Sequence, residues 1–182
     1  LGLPGLWQQG NAAVAAAALQ WMGRDSGAIP DAAIREGLAA ARWPGRLQWM
    51  RWQGLRVRVD GAHNPPAAVQ LDQERRRWSA DRTPQTWILA IQAHKQAPEM
   101  LNQLLHPGDQ AWIVPVPGHT SWSAEQLKAH CPHQAEQLKS AVNAAEALRQ
   151  LQAEGWPPTA PVIAGSLYLI GQLMETGLVQ AE

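Results

Sequence analysis

The fold prediction starts from residues 59–65, which read Val59-Asp60-Gly61-Ala62-His63-Asn64-Pro65. The stretch ends an apolar run with a carboxylate and continues with Asp-Gly, a common turn pair. The following Asn-Pro pair is a turn and helix-start signal. A strand, a tight turn and a helix in this order are typical of one step of an α/β sheet.

The segments on either side extend this pattern. Residues 47–52 and 55–60 are predicted strands around Gln53-Gly54, which indicates a hairpin. Downstream, helices are predicted at 67–78, 97–105, 123–130, 141–153 and 166–178, and strands at 86–91, 110–116 and 161–164. A flexible loop is expected at 118–121. The alternation predicts an α/β, Rossmann-like, doubly wound domain with a mostly parallel sheet and helices on both faces.

The first 45 residues have a different, helical pattern. Asn11 is a candidate N-cap for an alanine-rich helix over 12–22. Residues 23–29 are expected to break it, and Pro30 opens a second helix. Two short helices cannot bury a core alone, so they indicate the end of a larger domain. The turn Trp43-Pro44-Gly45-Arg46 is the predicted domain boundary.

Composition excludes several classes of protein. The formal net charge is zero, and it gives no indication of nucleic-acid binding. The single cysteine, Cys131, excludes an internal disulfide framework and favours a reducing compartment. No apolar run reaches the roughly 20 residues that cross a bilayer. The chain also contains ten Trp and no Phe, so Trp is expected at aromatic core positions.

Candidate site residues fall where strands end, because ligands of such sheets bind beyond the carboxyl ends of the strands. Asp60 is placed to accept hydrogen bonds from ribose hydroxyls, or it is only a turn residue. His63 could contact a phosphate or a carboxylate, although a hydrogen-bonded structural histidine is the commoner case. Ser166 opens a helix directly after a strand, where free N–H groups bind anions, or it is only the N-cap.

Two cations complete the candidate set. Lys95 follows the strand at 86–91 and could neutralise a phosphate or an acyl phosphate, or simply be solvated. Arg46 could clamp a phosphate bidentately. The 182 residues contain no GxxxxGK(S/T) phosphate loop and no Cys/His zinc spacing.

Four segments occur along the chain, and they are GLWQQGNAA (5–13), WPGR (43–46), DGAHNP (60–65) and GSLYLIG (165–171). In this order they resemble folylpolyglutamate synthase and dihydrofolate synthase, members of the Mur ligase superfamily. The family's corresponding patterns are GxHQxxNAA, WPGR, DGAHNP and GSLYLVG. Mur peptidoglycan ligases share the fold, but usually not WPGR together with GSLY.

The resemblance implies a division of the chain and roles for its residues. Residues 1–43 would be the tail of a central ATP-binding domain, and 44–182 the C-terminal, glutamate-ligase domain. Asn11, Arg46 and Asp60 would contact the base, phosphates and ribose of ATP. His63 and Ser166 would lie near the incoming glutamate and the transferred phosphate, and Lys95 and His63 would be the catalytic residues.

The resemblance also implies the chemistry. ATP would phosphorylate a carboxylate of dihydropteroate or a reduced folate, and the amine of L-glutamate would displace phosphate. Mg²⁺ would be bound mainly by residues outside these 182, so the chain by itself is expected to be inactive. The family is cytoplasmic and usually monomeric, and no nucleic-acid or membrane partner is expected.

Departures from the family pattern keep other hypotheses open. The family's histidine before Gln8 is Trp7 here. The family's DKD is His94-Lys95-Gln96, which keeps the lysine and loses both carboxylates. A related Mur-type amino-acid ligase, or a non-catalytic nucleotide-binding or interaction domain, remains an alternative.

Overall fold

The computed structural model describes residues 1–78 and 83–182, except for the side chains of residues 25 and 26. The chain forms two compact units, 1–47 and 48–182. Helices α1 (Trp7–Ser26) and α2 (Asp31–Ala40) form the first unit. The second contains β1 (Gln48–Trp52), β2 (Leu55–Val59), α3 (Pro65–Trp78), β3 (Thr86–Leu89), α4 (Ala97–Leu104), β4 (Gln110–Ile113), α5 (Ala124–His130), a 3-10 helix (Pro132–Gln137), β5 (Leu138–Ser140), α6 (Ala144–Glu154), β6 (Val162–Ala164), α7 (Leu167–Glu175) and β7 (Gln180–Ala181).

Two expectations for the first unit are wrong. Asn11 is not an N-cap, because α1 already begins at Trp7. The helix also passes through Gly23 and ends at Gly27, whose φ of 100° is the backbone conformation that lets a glycine terminate a helix. The alanines that favour the helix therefore outweigh the cost of one internal glycine. The second helix begins after Pro30, as predicted.

The hairpin prediction is confirmed. β1 and β2 pair antiparallel from Gln48↔Val59 to Trp52↔Leu55. The two loop residues, Gln53 and Gly54, have φ of 48° and 82°. Positive φ at both positions is the type I′ geometry, which matches the twist of the flanking strands.

The sheet is mostly parallel, as predicted. Its strand order is β5-β4-β3-β6-β2-β1-β7, and the five strands from β5 to β2 are parallel to one another. The chain steps outward through β3, β4 and β5, and then α6 returns it to place β6 between β3 and β2. Connections therefore change direction around β3 and β6, the kind of switch point where open α/β sheets bind ligands.

Helices cover both faces of this sheet. Side chains of α6 and α7 form one buried cluster with Val57, Val59, Ile88 and Ile163. Because strand side chains alternate between faces, Trp87 points away from Ile88 and to the other face. The Arg75 guanidinium of α3 lies 6.0 Å from the centre of the Trp87 ring, which places α3 on that second face.

The structure differs from the prediction at two strands and at the start of one helix. The strand Leu138–Ser140 and the short edge strand Gln180–Ala181 were not predicted. The helix expected from residue 141 begins only at Ala144, because Asn143 caps it by accepting a hydrogen bond from Glu146 N. The predicted Trp role is confirmed in part, since Trp52, Trp87 and Trp112 are all at most 2% exposed.

Candidate functional site

The three candidate loops of the second unit converge. β2, β6 and β3 are parallel neighbours, and their carboxyl ends lead to Asp60, to Gly165 and to the 92–95 turn. A direct bond joins two of the loops, because Gly165 N donates to Ala62 O at 2.8 Å. The convergence expected from the alternating sequence is therefore confirmed.

Asp60 is buried at the end of β2, with 2% of its surface exposed. Its Oδ1 accepts a hydrogen bond of 2.8 Å from Ala62 N, two residues ahead. This is the local turn geometry that Asp favours. Asp60 therefore forms a turn, as one of its two interpretations from sequence expected, and its contact with ribose stays a prediction.

His63 is half-buried in the same loop. Its Nδ1 lies 2.7 Å from the carbonyl oxygen of Gly61. A carbonyl can only accept, so Nδ1 carries the proton and Nε2 is an acceptor when the ring is neutral. Within the described residues Nε2 has no hydrogen-bond partner. The ring is therefore held by its backbone contact with one nitrogen left for a ligand.

The start of α3 shows why Asn64-Pro65 signals a helix. Asn64 Oδ1 accepts from Ala67 N at 2.9 Å, and Asn64 O accepts from Ala68 N. Pro65 and Pro66 have no N–H. The first turn of α3 therefore has no free N–H group, and its N-terminus cannot bind an anion through the backbone.

Gly165 and Ser166 open α7. Gly165 has a φ of 97°, and a Cβ there would lie 2.5 Å from the carbonyl oxygen of Ala90, so only glycine fits between β6 and β3. Ser166 is buried, and its Oγ accepts from Tyr168 N at 3.1 Å and from Leu169 N at 3.4 Å. Ser166 is therefore an N-cap, and this cap satisfies donors that an anion would otherwise use.

Lys95 lies in a turn beyond β3, with Lys95 N bonded to Gln92 O at 2.9 Å. The side chain is half-buried, and in the parts of the chain that the structure describes its ammonium has no ion-pair partner. His94 and Gln96 beside it are exposed. At the three positions where the family has DKD, the described turn therefore contains one residue that is always charged near neutral pH, Lys95.

The loop expected at 118–121 is joined by contacts to the elements around it. Thr120 O accepts from Ala93 N at 3.0 Å, and Trp122 Nε1 donates to Lys95 O at 3.0 Å. At its tip, the His119 ring stacks on Tyr168 with ring centroids 4.0 Å apart. The loop therefore ties the Lys95 turn to the start of α7. No sequence pattern indicates these contacts, because the partners are 27 or more positions apart.

Two candidate residues belong to the first unit. Asn11 lies within α1, donates to Gln8 Oε1 at 2.9 Å and lines an apolar cavity of about 170 Å³. Arg46 follows the turn at Pro44 and Gly45. Their roles in nucleotide binding stay predictions.

Three other features concern metal ligands, membrane spans and the single thiol. Within residues 1–78 and 83–182, no group of three or more His, Cys, Asp or Glu side chains could hold a metal ion. No helix in the same residues is long and apolar enough to span a membrane. Burial raises the pKa of the Cys131 thiol, which makes it a poor nucleophile.

The sequence matches one family model, the dihydrofolate synthetase C-terminal domain, over residues 47–176. The chain belongs to this family. The match begins at the last residue of the first unit and includes every strand except β7. The dihydrofolate synthetase C-terminal domain is therefore the α/β unit described above.

Two named proteins that the chain resembles support this family assignment. The chain is 33% identical over 144 residues to folylpolyglutamate synthase of Lacticaseibacillus casei, covering 79% of the chain and 32% of that protein. Escherichia coli FolC in complex with DHPP and ADP is 30% identical, with a TM-score of 0.72 over 96% of the chain and 39% of that structure.

A third relative contains a metal ion. It is the bifunctional folylpolyglutamate synthase/dihydrofolate synthase of Yersinia pestis, complexed with AMPPNP and Mn ion. It is 26% identical, with a TM-score of 0.64 over 81% of the chain and 34% of that structure. The chain thus spans well under half of the length of these relatives.

Proposed function

We propose that the chain is the C-terminal part of an ATP-dependent ligase that adds L-glutamate to dihydropteroate, to a reduced folate, or to both. Residues 1–43 would belong to the central ATP-binding domain and residues 44–182 to the C-terminal domain. Family membership supports the proposal. So does the convergence of Asp60, His63, Ser166 and Lys95 loops at the switch point of the sheet.

The proposed reaction has two steps. A carboxylate oxygen of the acceptor attacks the terminal phosphorus of ATP, so an acyl phosphate forms and ADP leaves. The glutamate amine then attacks the acyl carbon and loses a proton, so an amide forms and inorganic phosphate leaves. Charge develops on phosphate oxygens in both steps, and fixed cations and N–H donors stabilise such charge.

Each candidate residue has a proposed part in this reaction. Asp60 accepts a hydrogen bond from the ribose of ATP, Arg46 binds its phosphates, and Asn11 lies near its base. Lys95 neutralises the transferred phosphate. His63, through Nε2, and Ser166 contact the glutamate or the phosphate.

Magnesium ions are assigned to the parent protein and not to this chain. The described residues contain no group of three or more side chains that could hold a metal ion. The 182 residues also lack a GxxxxGK(S/T) loop, and we expect no ATP turnover from them alone. The chain would supply one wall of the site.

The test is phosphate release by the intact parent protein with ATP, L-glutamate and either dihydropteroate or a reduced folate. We expect release that requires all three substrates. Lys95→Ala should lower kcat/KM at least about tenfold, since a bond to a charged group contributes about 1.5–3 kcal/mol. Lys128→Ala, an exposed lysine on α5, is the matched control and should leave it unchanged.

The loss of two family carboxylates at His94 and Gln96 favours one alternative, a domain that binds nucleotide without turnover. A parent protein that binds ATP but releases no phosphate with either acceptor would establish that alternative. Equal activity of Lys95→Ala and Lys128→Ala would remove Lys95 from the site. The choice between dihydropteroate and reduced folate follows from which acceptor supports release.

A further inference from the structure

A groove rich in Trp and Arg lies at the opposite end of the parallel strands from the candidate site. It is formed by Trp49, Arg56 and Arg58 of the β1–β2 hairpin, by Trp78 at the end of α3, and by Trp156 and Pro158 before β6. We call it the amino-end groove. Three of the ten Trp residues line this groove, so filling the buried core does not account for all of the Trp in the chain.

Arg58 is the centre of the groove. Its guanidinium carbon lies 4.0 Å from the centre of the Trp49 ring and 3.8 Å from that of Trp78, so two indoles hold it. In the described part of the chain, no carboxylate lies within ion-pair distance and none of its N–H groups has an acceptor. Burial, reinforced by nearby Arg56 and partly offset by Glu74 and Asp60, lowers the pKa of Arg58 to about 10. Arg58 is still charged at neutral pH, and its N–H groups have no acceptor among residues 1–78 and 83–182.

The neighbouring pair already binds a carboxylate. Arg51 and Arg56 are directly opposite across the hairpin, an arrangement that repels unless an anion separates the charges. Glu182 supplies that anion, at 3.0 Å from Arg51 and 2.8 Å from Arg56. Arg56 thus binds a carboxylate directly, whereas Arg58 has none within ion-pair distance among the described residues and feels Glu74 and Asp60 only from farther away.

Space for a ligand adjoins both arginines. A cavity of about 230 Å³ is lined by Arg58, Trp78 and Gln85, and a second of about 420 Å³ by Arg56 and Trp156. The two cavities share Trp49, Pro158 and Ala160 and are therefore adjacent, and the Trp49 ring contacts both Arg56 and Arg58. On the inner wall, Gln85 Nε2 is fixed by bonds to Thr86 O and Ala160 O, and its buried Oε1 has no partner.

We propose that the amino-end groove binds an extended acidic chain, with one carboxylate on Arg58 and a neighbouring carboxylate near Arg56. The two arginines are two positions apart on one strand, which separates them by about 6.6 Å along β2. Carboxylates on alternate residues of an extended peptide have the same spacing. An oligoglutamate chain therefore matches the groove in both charge and repeat.

The experiment is an isothermal titration of the 182-residue chain with penta-L-glutamate at low salt, with penta-L-glutamine as the uncharged probe. We expect binding of penta-L-glutamate alone, weakening as salt rises. Arg58→Met, which keeps an unbranched stem, should weaken binding about tenfold or more, and Arg58→Lys should weaken it less. Arg149→Met, an exposed arginine of α6, is the matched control and should bind as the unchanged chain does.

Each outcome decides the proposal. No heat with penta-L-glutamate, equal binding of penta-L-glutamine, or equal affinity of Arg58→Met and Arg149→Met would overturn it. Circular dichroism of every variant separates unfolding from lost binding, and Arg56→Met provides a second groove variant if Arg58→Met fails to fold. The titration contains no nucleotide, so its failure would leave the proposed ligase function untouched.

Discussion

Asp60 and Asp109 are both buried aspartates, and they lie at opposite ends of the parallel strands. Asp60 follows β2 at the carboxyl end, while Asp109 precedes β4 at the amino end. Asp60 accepts its turn hydrogen bond from Ala62, two residues away. Asp109 accepts from one nearby group, the backbone N–H of His106, and from three residues that lie 22 to 34 positions away. The turn bond of Asp60 is therefore local, whereas the bonds of Asp109 join several elements.

The surroundings of Asp109 form a buried network. Arg75 donates to both carboxylate oxygens, at 2.6 and 2.7 Å. Backbone N–H groups of Gln85 and His106 donate at 2.8 and 2.9 Å, and the Trp87 indole at 3.4 Å. The side chains of Arg75 and Asp109 are 5% and 0% exposed. This carboxylate therefore links α3, β3 and the loop before β4, and we assign it to stability alone.

The largest expected effect is that of Asp109→Ala. Removing one partner of a buried ion pair leaves Arg75 as an uncompensated charge, so the free energy of unfolding should fall by about 3–5 kcal/mol. Urea unfolding followed by circular dichroism measures it. Glu154→Ala, which breaks the exposed pair with Lys139, is the control and should cost under about 1 kcal/mol.

A double variant tests whether the uncompensated charge of Arg75 causes this loss of stability. Asp109→Leu combined with Arg75→Met removes both charges, and it should recover much of the loss, because buried pairs are often replaceable by apolar groups. If the double variant is as unstable as Asp109→Ala, the hydrogen bonds to Gln85 and His106 carry the stability instead of the charge balance.

Asp60→Ala should have an intermediate effect on stability. It leaves the N–H of Ala62 without its acceptor, which costs about 1–3 kcal/mol in a buried turn. In the parent protein the same change should weaken nucleotide binding more strongly than it weakens the fold. Unfolding curves and ATP titrations on one preparation compare the two. A variant that mainly unfolds would make Asp60 a structural residue like Asp109.

Ser166→Ala should have the smallest effect, about 1 kcal/mol, since it removes the N-cap of α7. Ser166→Gly is the matched comparison, because glycine is tolerated at an N-cap and should cost only a few tenths of a kcal/mol. Thermal unfolding of the two variants gives the difference. Equal losses would mean that burial of Ser166, and not its cap, sets the cost.

Much of the fold follows from local sequence. Gln53-Gly54 between alternating runs predicts the hairpin, and Asn64-Pro65 predicts the start of α3, because turn and cap preferences act over a few residues. Leu138–Ser140 was missed because three residues carry no periodic pattern. The N-cap assignment of Asn11 failed for a related reason, since a helix start is only weakly specified in an alanine-rich run.

The candidate site was predictable in its position and only partly in its bonding. The strand-to-helix alternation places Asp60, Lys95 and Ser166 at strand ends, and parallel pairing brings those ends to one edge. The Ser166 cap and the contact between His63 and Gly61 act over two or three residues, and the cap was one of the two interpretations of Ser166 from sequence. The bond from Trp122 to Lys95 joins residues 27 positions apart, so no short window of sequence indicates it.

The sequence by itself determined the α/β class, the hairpin, most helix and strand positions and the resemblance to folate–glutamate ligases. Tertiary structure decided the insertion of β6 between β3 and β2, the Arg75–Asp109 pair 34 positions apart and the amino-end groove. The physical reason is the distance along the chain over which each interaction acts. Propensities, caps and turns act between near neighbours, whereas strand order and buried charge pairs are set by packing among segments that the chain brings together only on folding.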